Sequence, residues 1–545
     1  MKGLRAGREW FAAVPRSLAL PARLATSRFP VAAALIVAFA LASNLRVAEV
    51  DLWPLGRWPR LLSALGGAAA VSVALRVGAE ALGARPALLS LLPLTGATAI
   101  GLTIWFGDPL TLYAPALIAV SVLAVPLAPF LRRGSAIQFW SFTLWSFVGV
   151  VLAFLSVLLF CLGLHAILEM VRFLFRAGVD WRAYAHIWTT ALTLVGPLFA
   201  LARIPPTEGR ELDLRAEDAL VRAVRSLLEW VATPLALATA LVLHVYGLRI
   251  LLTGEVPLEE VGWIVTFFAV LVLSLRIGLD PFLASGAFPT QIFARTWAGA
   301  LCFPLAILVY AAALRIDAQG VTISRYFLVV AALSGALVVL VQAVPRARGD
   351  IRIMAAIPVA LLALTVAGPW SAANVVGRSQ VGFIETSALD DAGRLDLDRL
   401  DPAFRRSLRS RVRELAEVDQ LWRLEAYIPP QREEALRLAR APDGRANRQA
   451  MLAALGLQQV AGSDPPIATR GFSAVATDPL DLMGYDVAFT SRTVELTPST
   501  VDELVLRFEG RDLVIERGRN AERADLGGVL DAIPAGWFDP SVRDL

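Results

Sequence analysis

From Phe29 to Ala373 the chain is a succession of long apolar segments, most of them close to the roughly 20 residues that a helix needs to cross a bilayer. In hydrocarbon every backbone N–H and C=O must be satisfied within the segment or in a closed barrel, so segments of this texture fold as helices. The 545 residues are 57% hydrophobic, with a mean hydropathy of +0.61. That is more apolar surface than a soluble core of this length can hide. The reading is a mainly α polytopic transmembrane bundle. Membrane-length windows place helices near 29–45, 61–79, 87–106, 110–131, 139–171, 184–202, 227–251, 259–279, 297–315, 324–345 and 352–371, eleven in all. Segment 139–171 exceeds a simple crossing and is expected to tilt or project.

Residues 1–28 form a basic leader containing Lys2, Arg5, Arg8, Arg16, Arg23 and Arg28. Ala40-Leu41-Ala42 has the texture of a signal-peptidase site, but the long leader and the spans that follow favour an uncleaved first helix. With the leader in the cytoplasm, the basic residues up to Ser371 divide twenty on that side to nine on the other, as the positive-inside rule requires. Tryptophans cluster near the expected helix ends, Trp53, Trp58, Trp105, Trp263 and Trp370 outside and Trp140 and Trp297 inside, as an aromatic belt does. An odd number of spans then puts the C-terminal tail outside, so the chain reads as a multi-pass inner-membrane protein. The run from Ala216 to Trp230 in the longest inner loop has helical spacing beside Arg222 and Arg225, and reads as an interfacial helix entering the next span.

The tail is a different material. Up to Ser371 the chain carries 29 basic and 19 acidic residues; the remainder carries 22 and 28. Between Arg378 and Ile428 apolar residues recur at helical spacing (Leu395, Leu400, Phe404, Leu408, Val412, Leu415, Leu421, Leu424), which predicts one or two amphipathic helices. From Tyr485 the pattern alternates: Val487 and Phe489, Val494 and Leu496, Leu504 to Phe508, Leu513 and Ile515, with a hairpin turn across Glu509–Asp512. The expected division is residues 1–28, a membrane domain 29–371, and a small extramembrane α+β domain 372–545.

Chemistry is sparsely signalled. No phosphate-binding glycine loop, metalloprotease helix or nucleophile elbow occurs, and nothing in the composition suggests nucleic acid, a metal or an organic cofactor. Cys161 and Cys302 both lie in apolar segments, where a thiol is a small buried hydrophobe. His165, His186 and His244 fall in the same half of their helices, where interfacial polar side chains are ordinary and a proton or metal site is the alternative. The acidic residues of the spans sit at helix ends rather than near the midplane, which disfavours ion-coupled transport.

The polar residues that stand out gather at the expected outer level. Tyr246 and Arg249 end the seventh helix, Glu255 and Pro257 follow, Arg315 and Asp317 end the ninth, and Gly320-Val-Thr322-Ile-Ser-Arg325-Tyr326 opens the tenth. Gly368-Pro369-Trp370 closes the eleventh, just before Arg378-Ser379-Gln380. Snorkelling arginines and helix-ending turns are the plain reading. A polar binding cluster of Tyr246, Arg249, Glu255, Arg315, Asp317, Thr322, Arg325, Tyr326 and Gln380 is the sharper one. These segments resemble the bacterial membrane family catalogued as domain of unknown function 4153 over about residues 140–430, most specifically in the Gly-Val-Thr-Ile-Ser-Arg-Tyr stretch. Leu258 and Glu259 stand after Pro257 where that family usually has a nearby glycine. The resemblance implies a polytopic membrane protein with this site and names no reaction.

Three functions remain open. The first is an envelope scaffold or sensor, with the bilayer and an envelope protein or lipid as partners. The second is a transporter or permease, and the third an enzyme on an envelope substrate. A carrier should show a midplane cavity with convergent polar groups; a scaffold should show a filled bundle and an exposed patch.

Overall fold

The computed structural model describes residues 23, 25–50, 57–131, 133–176, 178, 180–207, 219–254, 261–387, 394–395, 402–428, 437, 447–455, 457, 499–501, 504–509, 512–517 and 520–525. In chain order the apolar helices are α1 (Pro30–Val47), α2 (Trp58–Ala81), α3 (Pro86–Phe106), α4 (Leu110–Leu127), α5 (Ala136–Phe175) and α6 (Trp181–Ala202). Then come α7 (Ala219–Thr253), α8 (Val261–Gly278), α9 (Phe288–Gln319), α10 (Ile323–Val341) and α11 (Ile351–Leu364). Among the described residues nine are long and apolar enough to cross a membrane, whereas the apolar stretches Gly262–Gly278 and Ile351–Leu364 are shorter. Of the eleven or so expected segments, nine have crossing length among the described residues; residues 255–260, just before α8, lie outside them. Helix α11 stops at Leu364 because Thr365 turns back on Leu362 and its carbonyl accepts from the Ala372 amide, closing a loop around Gly368 and Pro369.

Local chemistry sets many of the boundaries. Proline occupies the first or second position of α1, α2, α3 and α9, where its missing N–H would have had no helical partner. Helix α5 starts on a capping box: Ser135 Oγ accepts from the Gln138 amide while Gln138 Oε1 accepts from the Ser135 amide. Its 40 residues run for about 60 Å at about 1.5 Å per residue, roughly twice the hydrocarbon core. In α6 and α7 a π turn, Ala191–Val195 and Leu228–Ala232, immediately precedes Gly196-Pro197 and Thr233-Pro234. The wider turn moves the carbonyl one turn back away from a proline ring that cannot donate to it. The Leu228 carbonyl accepts both the Thr233 amide and, at 2.7 Å, Thr233 Oγ1. The segment expected as an interfacial helix runs through this π turn into α7 without a break.

Helix α9 lies at the centre of the main core, where Phe293, Leu301 and Leu308 are fully buried against Phe268 and Leu279. Gly247 lets α7 approach it, since a Cβ there would stand 2.3 Å from Ile307 and 2.4 Å from Phe303. Large apolar side chains such as Leu159, Phe160 and Leu241 face outward, as a bilayer requires.

Ion pairs lock one end of this bundle. Arg28 meets Glu80 at 2.8 Å and donates to the Ile204 carbonyl at 2.6 Å, and Arg76 meets the same carboxylate. Arg225 pairs with buried Glu229 and donates to the Ser285 carbonyl. Arg276 pairs with Asp280, and Arg352 with Asp350 while reaching the Gly134 carbonyl. These contacts join starts of odd-numbered helices to ends of even-numbered ones. At the opposite end Arg60 pairs with Asp108 and Arg182 with Glu49. The helices therefore alternate in direction, and Arg28 lies at the other end of the bundle from the α9–α10 corner.

Beyond α11 come α12 (Ala372–Ser387), α13 (Pro402–Glu417), a 3-10 turn at Leu421–Tyr427 and α14 (Arg448–Ala454). They enclose a second core in which Val381, Ile384, Leu408, Val412, Leu415 and Leu424 are buried together with Met451. Of the leucine stripe expected in the tail, Leu400 lies outside the described residues. Contacts divide the chain after Asp464, not near 371. The described helices of the tail, α12 to α14, therefore fall in the same unit as the membrane helices, and the described strands fall in the other.

The second compact unit is Pro465–Leu545. Its described part is an antiparallel meander of β1 (Ser499–Val501), β2 (Leu504–Glu509), β3 (Asp512–Arg517) and β4 (Asn520–Asp525). Glu509 pairs with Asp512 and Leu506 with Ile515, which puts the β2–β3 turn at Gly510-Arg511. The strands expected at Val487–Phe489 and Val494–Leu496 lie outside the described residues.

Candidate functional site

The α9–α10 corner is the place where the tail helices meet the membrane helices. Helix α9 ends at Gln319, and Gly320 follows at φ +78°, a left-handed conformation that favours glycine. Thr322 then caps α10, its Oγ1 accepting from the Arg325 amide at 3.5 Å. Such a tight corner turns backbone groups outward. The carbonyls of Gln319, Gly320 and Val321 and the Val321 amide are all taken by side chains.

Helix α12 supplies two of those side chains. Ser379 Oγ accepts from the Val321 amide at 2.9 Å, and Gln380 Nε2 donates to the Val321 carbonyl at 2.8 Å. From α13, Arg411 Nη1 donates to Gln380 Oε1 at 2.8 Å and to the Gln319 carbonyl at 3.2 Å, with its guanidinium 3.9 Å above the Phe383 ring. Gln380 is 1% exposed and Arg411 5%, so these bonds are made away from water, where leaving one unmade is costly. A Cβ on Gly320 would come within 3.1 Å of Gln380 Nε2 and 3.2 Å of Ser379 Oγ.

Arg325 donates to the Gly320 carbonyl at 2.8 Å and to Gln319 Oε1 at the surface. It lies within electrostatic reach of Arg315, Arg411 and Glu414. Burial, and then the charge of Arg325, pushes the Arg411 guanidinium below its usual range. Burial also raises the Glu414 carboxyl, with Glu417 adding to the rise; Arg413, Arg325 and the Ile323 amide oppose it. Arg315 is half-buried, and its Nη2 has no hydrogen-bond partner among the described residues. Tyr326 donates from its hydroxyl to the Trp370 carbonyl at 2.6 Å and ties α10 to the loop before α12. Val321, Ile323, Tyr326 and Phe327 pack on Ala372, Ala373, Val376 and Val418 beneath this polar layer.

The corner thus assembles Arg315, Thr322, Arg325, Tyr326 and Gln380 from the expected cluster. Asp317 is exposed on α9. Tyr246 and Arg249 lie on α7, half-buried and exposed respectively, and make no side-chain hydrogen bond to the corner among the described residues. Glu255 and Pro257 lie outside the described residues. Arg411, Glu414 and Phe383 belong to the site without having been read from the sequence. The available signal was Arg411 itself, an arginine in register with the apolar stripe Leu408, Val412 and Leu415.

The three histidines stand apart. His186 bonds to Asn44 at 2.8 Å, His244 bonds to the Ala240 carbonyl within its own helix, and His165 stacks on Tyr184. Among the described residues no group of three or more His, Cys, Asp or Glu side chains is placed to hold a metal.

A cavity of about 570 Å³ lies elsewhere, between α1, α2, α4, α5 and α6, near Phe39, Val73, Phe154 and Pro197. Its lining is apolar apart from hydroxyls. Thr143 and Thr193 donate theirs to carbonyls of their own helices, and Ser146 Oγ has no partner among the described residues. No charged side chain lines it among the described residues.

Helices of crossing length, outward apolar side chains and a polar corner at one end of the bundle define a multi-pass membrane protein. The sequence pattern of the family described as domain of unknown function 4153 matches residues 30–401, and the chain belongs to that family. Neither a curated protein nor a solved structure matches it.

Proposed function

We propose that the chain is an inner-membrane scaffold or sensor of the cell envelope, with its N-terminus in the cytoplasm and the chain from residue 372 onward outside. The observation that carries this reading is the clasp of Ser379, Gln380 and Arg411 on the Gly320 corner. Buried hydrogen bonds of this kind seat an extramembrane helical layer on the membrane helices in one geometry, as a platform for another envelope component needs. The orientation rests on the twenty-to-nine division of basic residues and on Arg28 lying at the opposite end of the bundle from this corner.

The cavity favours, as a second reading, a permease for an apolar or amphipathic solute. Among the described residues its lining has no ionisable group for ion coupling. The two readings separate by experiment. Photo-crosslinking groups at Arg406 and Arg409, exposed on α13, are expected to trap a discrete envelope protein or lipid in cells. Absence of any adduct, with solute uptake by proteoliposomes of the purified chain, would favour the permease.

A further inference from the structure

We propose that Arg315, Arg325 and Arg411 form a binding site for a phosphate group of the kind carried by an anionic phospholipid headgroup. The inference deepens the reading above and rests on its placement of the corner at the membrane surface.

Arg325 and Arg411 sit on the adjacent Gly320 and Gln319 carbonyls, and Arg325 lies within electrostatic reach of both Arg411 and Arg315. One described carboxylate, Glu414, lies among them, and burial disfavours its charged form. Such an excess of like charge is unfavourable unless an anion enters. Two buried donors wait for an acceptor: Arg315 Nη2 and Arg411 Nε have none among the described residues, and Arg411 is 5% exposed. Buried unpaired guanidinium N–H groups are expensive, and a phosphate oxygen satisfies them in the fork geometry that arginine presents. Arg325 Nη1 is held by the Gly320 carbonyl and Arg411 Nη1 by the Gln319 carbonyl and Gln380, which fixes these two side chains in place. The arrangement is preorganised.

The surroundings indicate which anion. Trp370 is 68% exposed and Trp422 58%, and Tyr326 links the first of them to the corner. Exposed tryptophans with arginines beside them mark the level at which lipid headgroups lie. Arg378 and Arg423 are held on the same helical layer by the Pro369 carbonyl and the Asn374 side chain. The Arg325 bond to Gln319 is at the surface, so the cluster meets solvent at Arg325.

Arg315 permits a clean test, because it makes no hydrogen bond that its replacement would remove among the described residues. The full chain is purified in neutral detergent, and thermal unfolding is followed with added short-chain phosphatidylglycerol, short-chain phosphatidylcholine or inorganic phosphate alone. Phosphatidylglycerol is expected to raise Tm in a saturable way. Arg315→Gln is expected to fold, with an unchanged or raised Tm without lipid, and to weaken the phosphatidylglycerol response about tenfold in concentration. Arg315→Lys should recover only part of it. A response to inorganic phosphate alone would assign the site to the free ion, and a response to the lipid alone would assign it to a headgroup. Equal phosphatidylglycerol responses in the parent and Arg315→Gln, or no response from the parent, would overturn the proposal. Loss of the lipid response leaves the crosslinking test of the scaffold reading intact, so the two fail separately.

Discussion

Gln380 donates to the carbonyl of Val321 at 2.8 Å across a sequence separation of 59 residues. The same side chain accepts from Arg411, so one amide bridges the α9–α10 corner and α13. Replacing it by leucine leaves the Val321 carbonyl and the Arg411 guanidinium each short of a partner in a buried place. Gln380→Leu should therefore cost about 2–4 kcal/mol, and limited proteolysis of the full chain should cut earliest around α12 and α13. Unchanged cleavage would mean that the apolar contacts of Val376 and Val418 hold the layer unaided.

Gly320 carries a second expectation. At φ +78° a side chain is strained, and its Cβ would crowd Gln380 and Ser379. Gly320→Ala should destabilise by about 1–2 kcal/mol, with most of the loss shared with Gln380→Leu, because both act on one contact. A double mutant whose cost equals the full sum of the two would contradict that coupling.

Glu414 makes the corner sensitive to pH. Its carboxyl is raised by burial from an ordinary 4.5, so between that value and its folded value the native state binds more protons than the unfolded chain. Stability from this group falls as pH rises through that window and is level above it. Glu414→Gln keeps an acceptor for the Ile323 amide while removing the charge, so it should flatten this part of a stability-against-pH profile and stabilise the protein at neutral pH. A variant profile parallel to the parent would contradict the assignment.

The opposite end of the bundle depends on Glu80, which faces both Arg28 and Arg76 with all three side chains largely buried. Glu80→Gln should cost about 2 kcal/mol, between the values for exposed and buried pairs. Arg76→Gln should cost less, since Arg28 still neutralises the carboxylate. Thermal unfolding in neutral detergent decides, and equal losses would show that the two arginines are not sharing one partner.

The membrane helices were legible because hydropathy depends on composition over a whole turn-rich window and survives errors at single residues. The length of α11 was less so, since its end is set by a single turn, Thr365 on Leu362. The corner announced itself in the sequence as Gly320, Thr322 and Arg325, residues with distinct backbone roles. Arg411 did not, because a charged residue on an apolar stripe is read as solvated until the partner 92 residues away, the Gln319 carbonyl, is seen beside it. The boundary after Asp464 was hidden for a similar reason. A change in texture near 372 marks where the chain leaves the apolar spans, whereas a compact unit is defined by what packs on what.

The most direct test of the account is the side of the membrane on which α13 lies. In a chain with Cys161 and Cys302 replaced by alanine, Arg406→Cys on α13 and Arg346→Cys in the α10–α11 turn each place one thiol at an exposed position. A membrane-impermeant maleimide applied to intact cells should label the Arg406→Cys protein and reach the Arg346→Cys protein only after the inner membrane is opened. Labelling of Arg346→Cys in intact cells, with Arg406→Cys protected, would contradict the account.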